Sequence, residues 1–349
     1  MQKKRVAVVF GGCSSEYTVS LQSACSVLEN LDPQKYEVLP IGITRSGDWY
    51  RYTGPYGKIA DGSWPVNPAE NTPVAVSQNR SAKGFLLLAK EKPVLAPVDA
   101  VFPVLHGKNG EDGTLQGLFE LAGIPVVGCN TLASALCMDK DRAHKLAAAA
   151  GVAVPKAIAF QRYELPQARE SIQQGFTYPL FVKPVRSGSS FGITKIDSPR
   201  RFDAAVAAAF AHDGEVIVEE AVPGCEVGCA VLGIEHPLVG RVDEIELCGG
   251  FFDYTEKYTL RTSKIHMPAR VDEETERRIQ RTALKIYRAL GCSGFARVDM
   301  FLTPDGTVVF NEVNTIPGFT AHSRYPNMMK GIGLSFAQVL DKLLGLYLP

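Results

Sequence analysis

The sequence predicts a multidomain α/β chain, and three observations carry that prediction. Its 349 residues exceed one small core; at ~150 residues per domain they suggest two or three. From Arg5 to about Gly128, short apolar runs alternate with amphipathic stretches, the pattern of an open α/β layer. Composition then shifts near Asn130 to a stretch rich in Ala, Leu, Lys and Arg, and long β-type segments follow Pro223-Gly224.

Each element has its own signal. Arg5 to Phe10 reads as a buried strand stopped by Gly11-Gly12, Thr18 to Leu31 as a helix, Tyr36 to Thr44 and Val98 to Leu105 as strands, Thr114 to Leu121 as a helix and Pro125 to Val127 as a short strand. Tyr56 to Asn79, rich in Pro, Gly, Asn and Ser, reads as a surface excursion of low structural content. Thr131 to Ala150 reads as one helix, ended by Gly151 and Pro155. Strand Lys156 to Phe160, helix Leu165 to Gln174 and strand Leu180 to Lys183 follow. A Gly/Ser loop then joins the last of these to strand Gly192 to Ile196, expected to pair antiparallel with it, before helix Pro199 to Ala211 and strand Glu215 to Glu220. The last part predicts strands Glu226 to Ile234 and Leu238 to Leu247, a polar loop to Lys264, helix Glu273 to Leu290, a hairpin Ala296 to Asn311 turned at Pro304-Asp305-Gly306, and helix Ser335 to Leu346.

Composition narrows the function. Lys+Arg and Asp+Glu number 37 each, so the formal net charge is zero and nothing global draws the chain to nucleic acid or an anionic membrane. With 46% apolar and 21% charged residues the chain belongs with folded proteins, not disordered ones. The apolar run Val6 to Phe10 is too short for a signal peptide, and no stretch approaches the ~20 apolar residues of a membrane span. A cytoplasmic protein is expected. Eight cysteines contain no C-x-x-C pair, which favours reduced, buried thiols over a zinc site.

The stretch most informative for chemistry is Arg297-Val-Asp299 followed by Phe310-Asn311-Glu312-Val313-Asn314. Alternate residues of a strand share a face, so Glu312 and Asn314 point together, and a hairpin partner brings Asp299 beside them. Two carboxylates and an amide suit a hard cation such as Mg²⁺ that keeps waters and bridges to substrate phosphates. Lys183-Pro-Val-Arg-Ser-Gly-Ser-Ser-Phe-Gly192 follows an apolar strand and is either a phosphate-wrapping loop or a plain hairpin. It is not a P-loop, and no G-x-G-x-x-G follows the first strand. Glu16 lies where the first strand meets the first helix, a ligand position in open α/β sheets; it either holds a substrate ammonium or favours the helix dipole. His106, in a glycine loop at another strand end, falls on the same edge as substrate ligand or structural residue.

Together these residues resemble a known family. Phe10-Gly-Gly with Ser14 and Glu16, His106-Gly with Gly110-Glu-Asp-Gly, Met138-Asp-Lys140, Lys183-Pro with Gly188-Ser-Ser, Glu256-Lys-Tyr258, Arg297-Val-Asp299 and Asn311-Glu-Val-Asn-Thr-Ile-Pro-Gly318 resemble, in order, the D-alanine-D-alanine ligases of the ATP-grasp superfamily. Ser323-Arg-Tyr-Pro-Asn-Met-Met329 is similar to the variant ligases of vancomycin resistance, and the retained Glu256-Lys-Tyr258 to the D-alanine-D-serine ligases among them, of the VanG type.

The resemblance implies a three-domain ATP-grasp ligase: an N-terminal open α/β substrate domain (1–128), a central ATP-grasp domain (129–224) and a C-terminal catalytic domain (225–349) with a lid at about 248–264. It implies ATP with two Mg²⁺ ions, or Mn²⁺, D-alanine and D-serine as substrates, a homodimer, and a D-Ala-D-Ser product for modified peptidoglycan precursors. In that pattern Lys140, Lys183 and, from the lid, Lys257 contact phosphates, Glu219 meets the adenine edge and Glu226 the ribose, and Asp299, Glu312 and Asn314 hold the metal. Glu16 holds the first ammonium, with Ser189 and Tyr258 hydrogen-bonded into that site and His106 nearby. Arg297 and the Gly318 N–H stabilise an oxyanion. For the second substrate, Arg324 stands where the D-alanine-specific ligases carry a leucine-like residue, next to Ser323, and its donors can reach a serine hydroxyl or hold a neighbour that does; Phe252 narrows that pocket. The competing readings are a D-alanine-D-alanine ligase of normal wall synthesis, another ATP-grasp carboxylate-amine ligase, and a nucleotide-binding regulator without catalysis.

Overall fold

In the structure, a computed structural model describing residues 2–89, 91–188, 191–247 and 263–348, three sheets each gather one stretch of chain. The first stretch runs β1 (Lys4–Gly11), α1 (Tyr17–Asn30), β2 (Tyr36–Ile43), β3 (Trp49–Tyr52), α2 (Gly57–Ala60), β4 (Asn71–Val76), β5 (Gly84–Leu87), β6 (Val94–Pro97), β7 (Ala100–Val104) and α3 (Thr114–Ala122). Strand order is β6-β5-β4-β3-β2-β1-β7, with β2, β1 and β7 parallel and β3 to β6 added as antiparallel ribbons. Val6 to Phe10 of β1 are wholly buried, as a continuous apolar run in a parallel sheet requires. Pro125 to Val127, read as a strand, forms only an isolated bridge from Val126 to Val101.

Tyr56 to Asn79 departs from the expected low-content excursion. It carries α2, a 3₁₀ turn at Pro68–Glu70 and β4, and it buries Trp64 against Phe10, Tyr50 and Tyr52 at ring-centroid separations of 5.3, 6.5 and 6.0 Å. The indole N–H donates to the Tyr17 hydroxyl at 2.9 Å, so this large side chain is buried with its polar end satisfied. Turn-rich composition marked the bends correctly and missed the aromatic anchor between them.

The single helix read over Thr131 to Ala150 is two, α4 (Thr131–Met138) and α5 (Lys140–Ala149), separated by Asp139 in an extended conformation. An aspartate competes with helix continuation by capping: the Asp139 carboxylate accepts the Arg142 N–H at 3.0 Å and so starts α5 afresh. That break sets Lys140 in the first turn of a new helix.

The second sheet comprises β8 (Ala157–Gln161), β9 (Leu180–Pro184), β10 (Thr194–Ile196) and β11 (Glu215–Glu220), in the order β10-β9-β11-β8 with every neighbour antiparallel. The expected pairing through the Gly/Ser loop is present, Thr194 lying opposite Val182. α6 (Leu165–Gly175) and α7 (Phe202–Phe210) pack on it through Ile172, Phe202 and Val206.

The third sheet decides where the site forms. β12 (Cys225–Leu232), β13 (Leu238–Leu247), β14 (Ser263–His266), α8 (Glu273–Ala289), β15 (Phe295–Leu302), β16 (Val308–Asn314), α9 (Arg324–Lys330) and α10 (Phe336–Gly345) give the order β14-β13-β12-β15-β16. On one face Val227, Cys229, Val231, Ala296 and Val298 pack against Ile279, Ala283 and Ile286 of α8. On the other, Ala230, Leu232 and Phe295 meet Tyr325 and Met328 of α9 and Phe102 of β7. Further along that second face the alternation continues with Glu226, Gly228, Asp243, Arg297 and Asp299, a polar patch in the lee of an apolar interface.

Among the described residues no helix is long and apolar enough to cross a membrane. The seven described cysteines are free thiols; Cys13 is exposed, Cys225 half-buried and the rest buried.

Candidate active site

Asp299 of β15 lies opposite Glu312 of β16, and Arg297 opposite Asn314. Simple alternation does not produce this placement. Between Asp299 and Met300 the register shifts, so that Met300 faces Phe310 and Asn311 has no partner of its own. This bulge lets Val308, Phe310 and Val313 enter the core against α8 while Glu312 and Asn314 turn to the opposite face. Without the extra residue, Phe310 and Glu312 would share a side.

The patch is tied together by two guanidinium groups. Arg297 grips Asp299 through Nε at 2.8 Å and Nη2 at 2.7 Å, and the Asn314 amide donates to the same carboxylate at 2.8 Å. Arg324, on α9, makes a bidentate pair with Asp243 at 2.7 Å on both arms, and its remaining nitrogen lies 3.2 Å from Asp299 and 3.4 Å from Glu226. A glycine makes room for it: a Cβ at Gly228 would lie 2.2 Å from Arg324 Nη2 and 2.7 Å from Asp243 Oδ1. Burial would raise the Asp299 carboxyl, with Glu312 adding to it, but Arg297 and Arg324 outweigh both and hold it below the usual carboxylate range.

The donor set fits a divalent cation. Asp299, Glu312 and Asn314 lie side by side on two paired strands, and among the described residues no group of three or more His, Cys, Asp or Glu is placed to hold a metal ion by itself. An open set with two carboxylates matches Mg²⁺, which is held by few protein ligands and by substrate phosphates.

A cavity of about 520 Å³, which Asp299 itself does not border, is lined by Glu16, Lys140, Arg297, Glu312, Gly318 and Ser323. His106, Asn314 and Arg324 also border it, so one hollow unites positions from the N-terminal, central and C-terminal stretches. Glu16 is buried at the start of α1, and the chain must yield to it: Gly107 has φ +72°, and a Cβ there would lie 2.3 Å from Glu16 Oε2. Gly188 approaches the same oxygen, at 2.9 Å from its own would-be Cβ, which brings the Gly/Ser loop over the carboxylate. Ser323 precedes α9 without a side-chain capping bond; its hydroxyl instead accepts the Thr320 N–H at 3.0 Å and lies 2.8 Å from the Thr320 hydroxyl.

Lys140 borders the cavity, whereas Lys183, Glu219 and Glu226 lie one layer away from it. Lys140 Nζ donates to the Ser187 carbonyl at 2.7 Å and its backbone N–H to Val185, which anchors α5 to the Gly/Ser loop. Lys183 and Glu219, on neighbouring strands β9 and β11, form a buried pair at 2.6 Å. Burial alone would push the Glu219 carboxyl up; Lys183, His144 and Lys140 together hold it below its ordinary range. Glu226 faces Arg324 within the acidic patch.

Of the residues expected at the site, Ser189, Phe252, Lys257 and Tyr258, with nearly all of the 248–264 lid, lie outside the described residues. Two site residues were missed by sequence reasoning. Asp243 was visible only as an acid inside the β run Leu238 to Leu247, and Glu111 only as one letter of the Gly110-Glu-Asp-Gly turn. Both are buried and both bridge elements far apart in sequence.

The comparisons agree along the whole chain. Residues 5–129 match the family described as D-ala D-ala ligase N-terminus, and residues 146–345 the one described as D-ala D-ala ligase C-terminus. The Vancomycin B-type resistance protein VanB of Enterococcus faecalis is 45% identical, covering 99% of each chain. A D-alanine–D-alanine ligase of Caldicellulosiruptor bescii is 42% identical over 99% of this chain and 95% of its own. Among solved structures, the crystal structure of VanG D-Ala:D-Ser ligase from Enterococcus faecalis superposes with a TM-score of 0.94 at 66% identity, covering 99% of this chain and 100% of that one. With both halves of the family matched in order, and relatives this similar over nearly their full length, the chain belongs to the D-alanine–D-alanine ligase family of ATP-dependent, ATP-grasp ligases.

Proposed function

We propose that the chain ligates D-alanine to D-serine through an acyl phosphate, supplying a D-Ala-D-Ser terminus for peptidoglycan precursors in vancomycin resistance. Family membership supports ligation of D-alanine to a second D-substrate. The observation that carries D-serine is Arg324, a buried cation on the cavity wall beside Ser323, paired with Asp243. Its donors are turned to carboxylates, so its part in reading a hydroxyl is to hold in place a neighbouring group on the cavity wall. The 66%-identical neighbour described as a D-Ala:D-Ser ligase points the same way.

In the first step the carboxylate of D-alanine attacks the γ-phosphorus of ATP, giving an acyl phosphate and ADP. The D-serine amine then attacks the acyl carbon, and phosphate leaves from a tetrahedral oxyanion faced by Arg297 and the Gly318 N–H. Glu16 pairs with the first ammonium. Lys140 and Lys183 serve the phosphates, Glu219 and Glu226 the nucleoside; Asp299, Glu312 and Asn314 would hold Mg²⁺, which neutralises phosphoryl charge. Ser189, Tyr258, Lys257 and Phe252 complete the site in this reading, with a lid that keeps water from the acyl phosphate.

ADP release from ATP, measured on adding D-alanine with and without D-serine and then other amino acids, tests the proposal. D-alanine is required in this reading; a regulator would release no ADP, and a ligase of another acid would respond to that acid instead. Glu16→Ala is expected to raise KM for the first D-alanine at least about tenfold, the size of a lost charge-assisted contact, with KM for ATP nearly unchanged. Equal rises in both would make Glu16 structural.

A further inference from the structure

The floor of the cavity contains a chain of buried hydrogen bonds that the reaction as described does not use. The Phe319 N–H donates to Ser23 Oγ at 3.1 Å, and Ser23 Oγ lies 3.2 Å from His106 Nε2. His106 Nδ1 lies 2.8 Å from the Ile316 carbonyl. The Ile316 N–H donates to Glu111 Oε1 at 3.1 Å, and Glu111 Oε2 accepts the Gly107 N–H at 2.7 Å. Ser23, His106 and Glu111 are 0%, 4% and 9% exposed, so every bond is made away from water.

The proton order in this chain has one solution. A carbonyl can only accept, so His106 carries its proton on Nδ1. Burial lowers the imidazole pKa and keeps the ring neutral, so Nε2 is bare and takes the Ser23 hydroxyl proton. That leaves Ser23 Oγ as the acceptor for Phe319, and each polar group has a partner. Both His106 nitrogens are thereby committed to protein groups, which makes His106 a wall of the substrate site and not a ligand in it.

We propose that Ser23, His106 and Glu111 form a positioning bracket, centred on Glu111, that locks the 315–319 loop and its Gly318 N–H against the Glu16 end of the cavity. The loop is held on both sides of Gly318, at Ile316 and at Phe319, by residues of α1 and of the 106–111 loop more than 200 positions away. Gly107, the residue Glu111 grips, is the one packed on the Glu16 carboxylate. One bracket therefore sets the distance between the ammonium site and the oxyanion donor. The inference rests on the roles given above to Glu16 and Gly318 but not on the acceptor being D-serine.

The bracket also titrates. Burial and then the neighbouring Glu16 push the Glu111 carboxyl up to about 8, against the two N–H donors and Arg297; among the described residues, His106, Cys129 and Cys137 are further titratable groups nearby. Only the carboxylate accepts both N–H groups without a competing O–H, so the bracket is complete when Glu111 is ionised, and an ammonium arriving at Glu16 favours that form.

The test is Glu111→Gln, assayed with whichever acceptor the parent ligates fastest so that a wrong acceptor assignment does not touch it. We expect kcat to fall about 10- to 100-fold, the cost of misplacing a reacting group, with KM for ATP within about twofold and melting temperature nearly unchanged. The ratio of parent to variant kcat/KM for the first D-alanine, in which substrate ionisations cancel, should rise between about pH 6.5 and 9. A variant within about twofold of the parent in kcat, or a ratio flat across that range, overturns the proposal. Should Glu111→Gln not fold, Ser23→Ala decides: a fall in kcat with unchanged KM for ATP supports the bracket, and parental kcat refutes it.

Discussion

Glu312→Gln is expected to leave the protein folded and all but abolish turnover. Glu312 is half-buried at the end of β16, where an amide of the same shape costs little. It stands opposite Asp299 in the donor set, however, and a neutral amide cannot help to hold Mg²⁺ or offset phosphoryl charge. Loss of a residue that only orients metal ligands typically costs 10- to 100-fold, so loss of a ligand should exceed about 100-fold in ADP release at saturating Mg²⁺. The measurement is steady-state ADP release beside a melting curve. Activity within a few-fold of the parent would remove Glu312 from the metal set.

The second large effect is expected from Arg324→Leu. Arg324 is the cation shared by Asp243, Asp299 and Glu226, and leucine leaves those buried acids short of a partner. Removing one side of a buried ion pair costs ~3–5 kcal/mol, so a lower melting temperature accompanies any change in specificity. The specificity change itself is a fall of about one to two decades in the ratio of kcat/KM for D-serine over D-alanine, the value of one hydrogen-bonded hydroxyl. Pairing Arg324→Leu with Asp243→Asn separates the two effects, because it relieves the stranded charge and does not restore hydroxyl recognition. Its melting temperature should recover in part while D-serine preference stays low. If the single variant keeps the parent's preference and loses only stability, Arg324 is structural.

The sequence carried the parts of this site that follow from local rules. The strand and helix alternation placed Glu16 and His106 at strand ends, and the turn at Pro304-Asp305-Gly306 placed Asp299 beside Glu312. What it did not carry came from tertiary packing. The bulge at Asn311 reconciles an apolar pattern with a polar one on the same strand, which alternation alone cannot announce. Asp139 ended a helix that its alanine-rich surroundings favoured, since capping competes with propensity at a single residue. Trp64 found its partners in strands before and around it, and a turn-rich segment gives no hint of them. Asp243 acquires meaning only when Gly228 on the next strand leaves a gap for a guanidinium arriving from α9.

The measurement closest to the central claim is a competition among D-alanine, D-serine and D-lactate for the acceptor position, with ATP, Mg²⁺ and D-alanine as first substrate and the products separated and weighed. The buried Arg324–Asp243 pair predicts D-Ala-D-Ser as the leading product at equal acceptor concentrations. A parent enzyme that makes mainly D-Ala-D-Ala or D-Ala-D-lactate would contradict it.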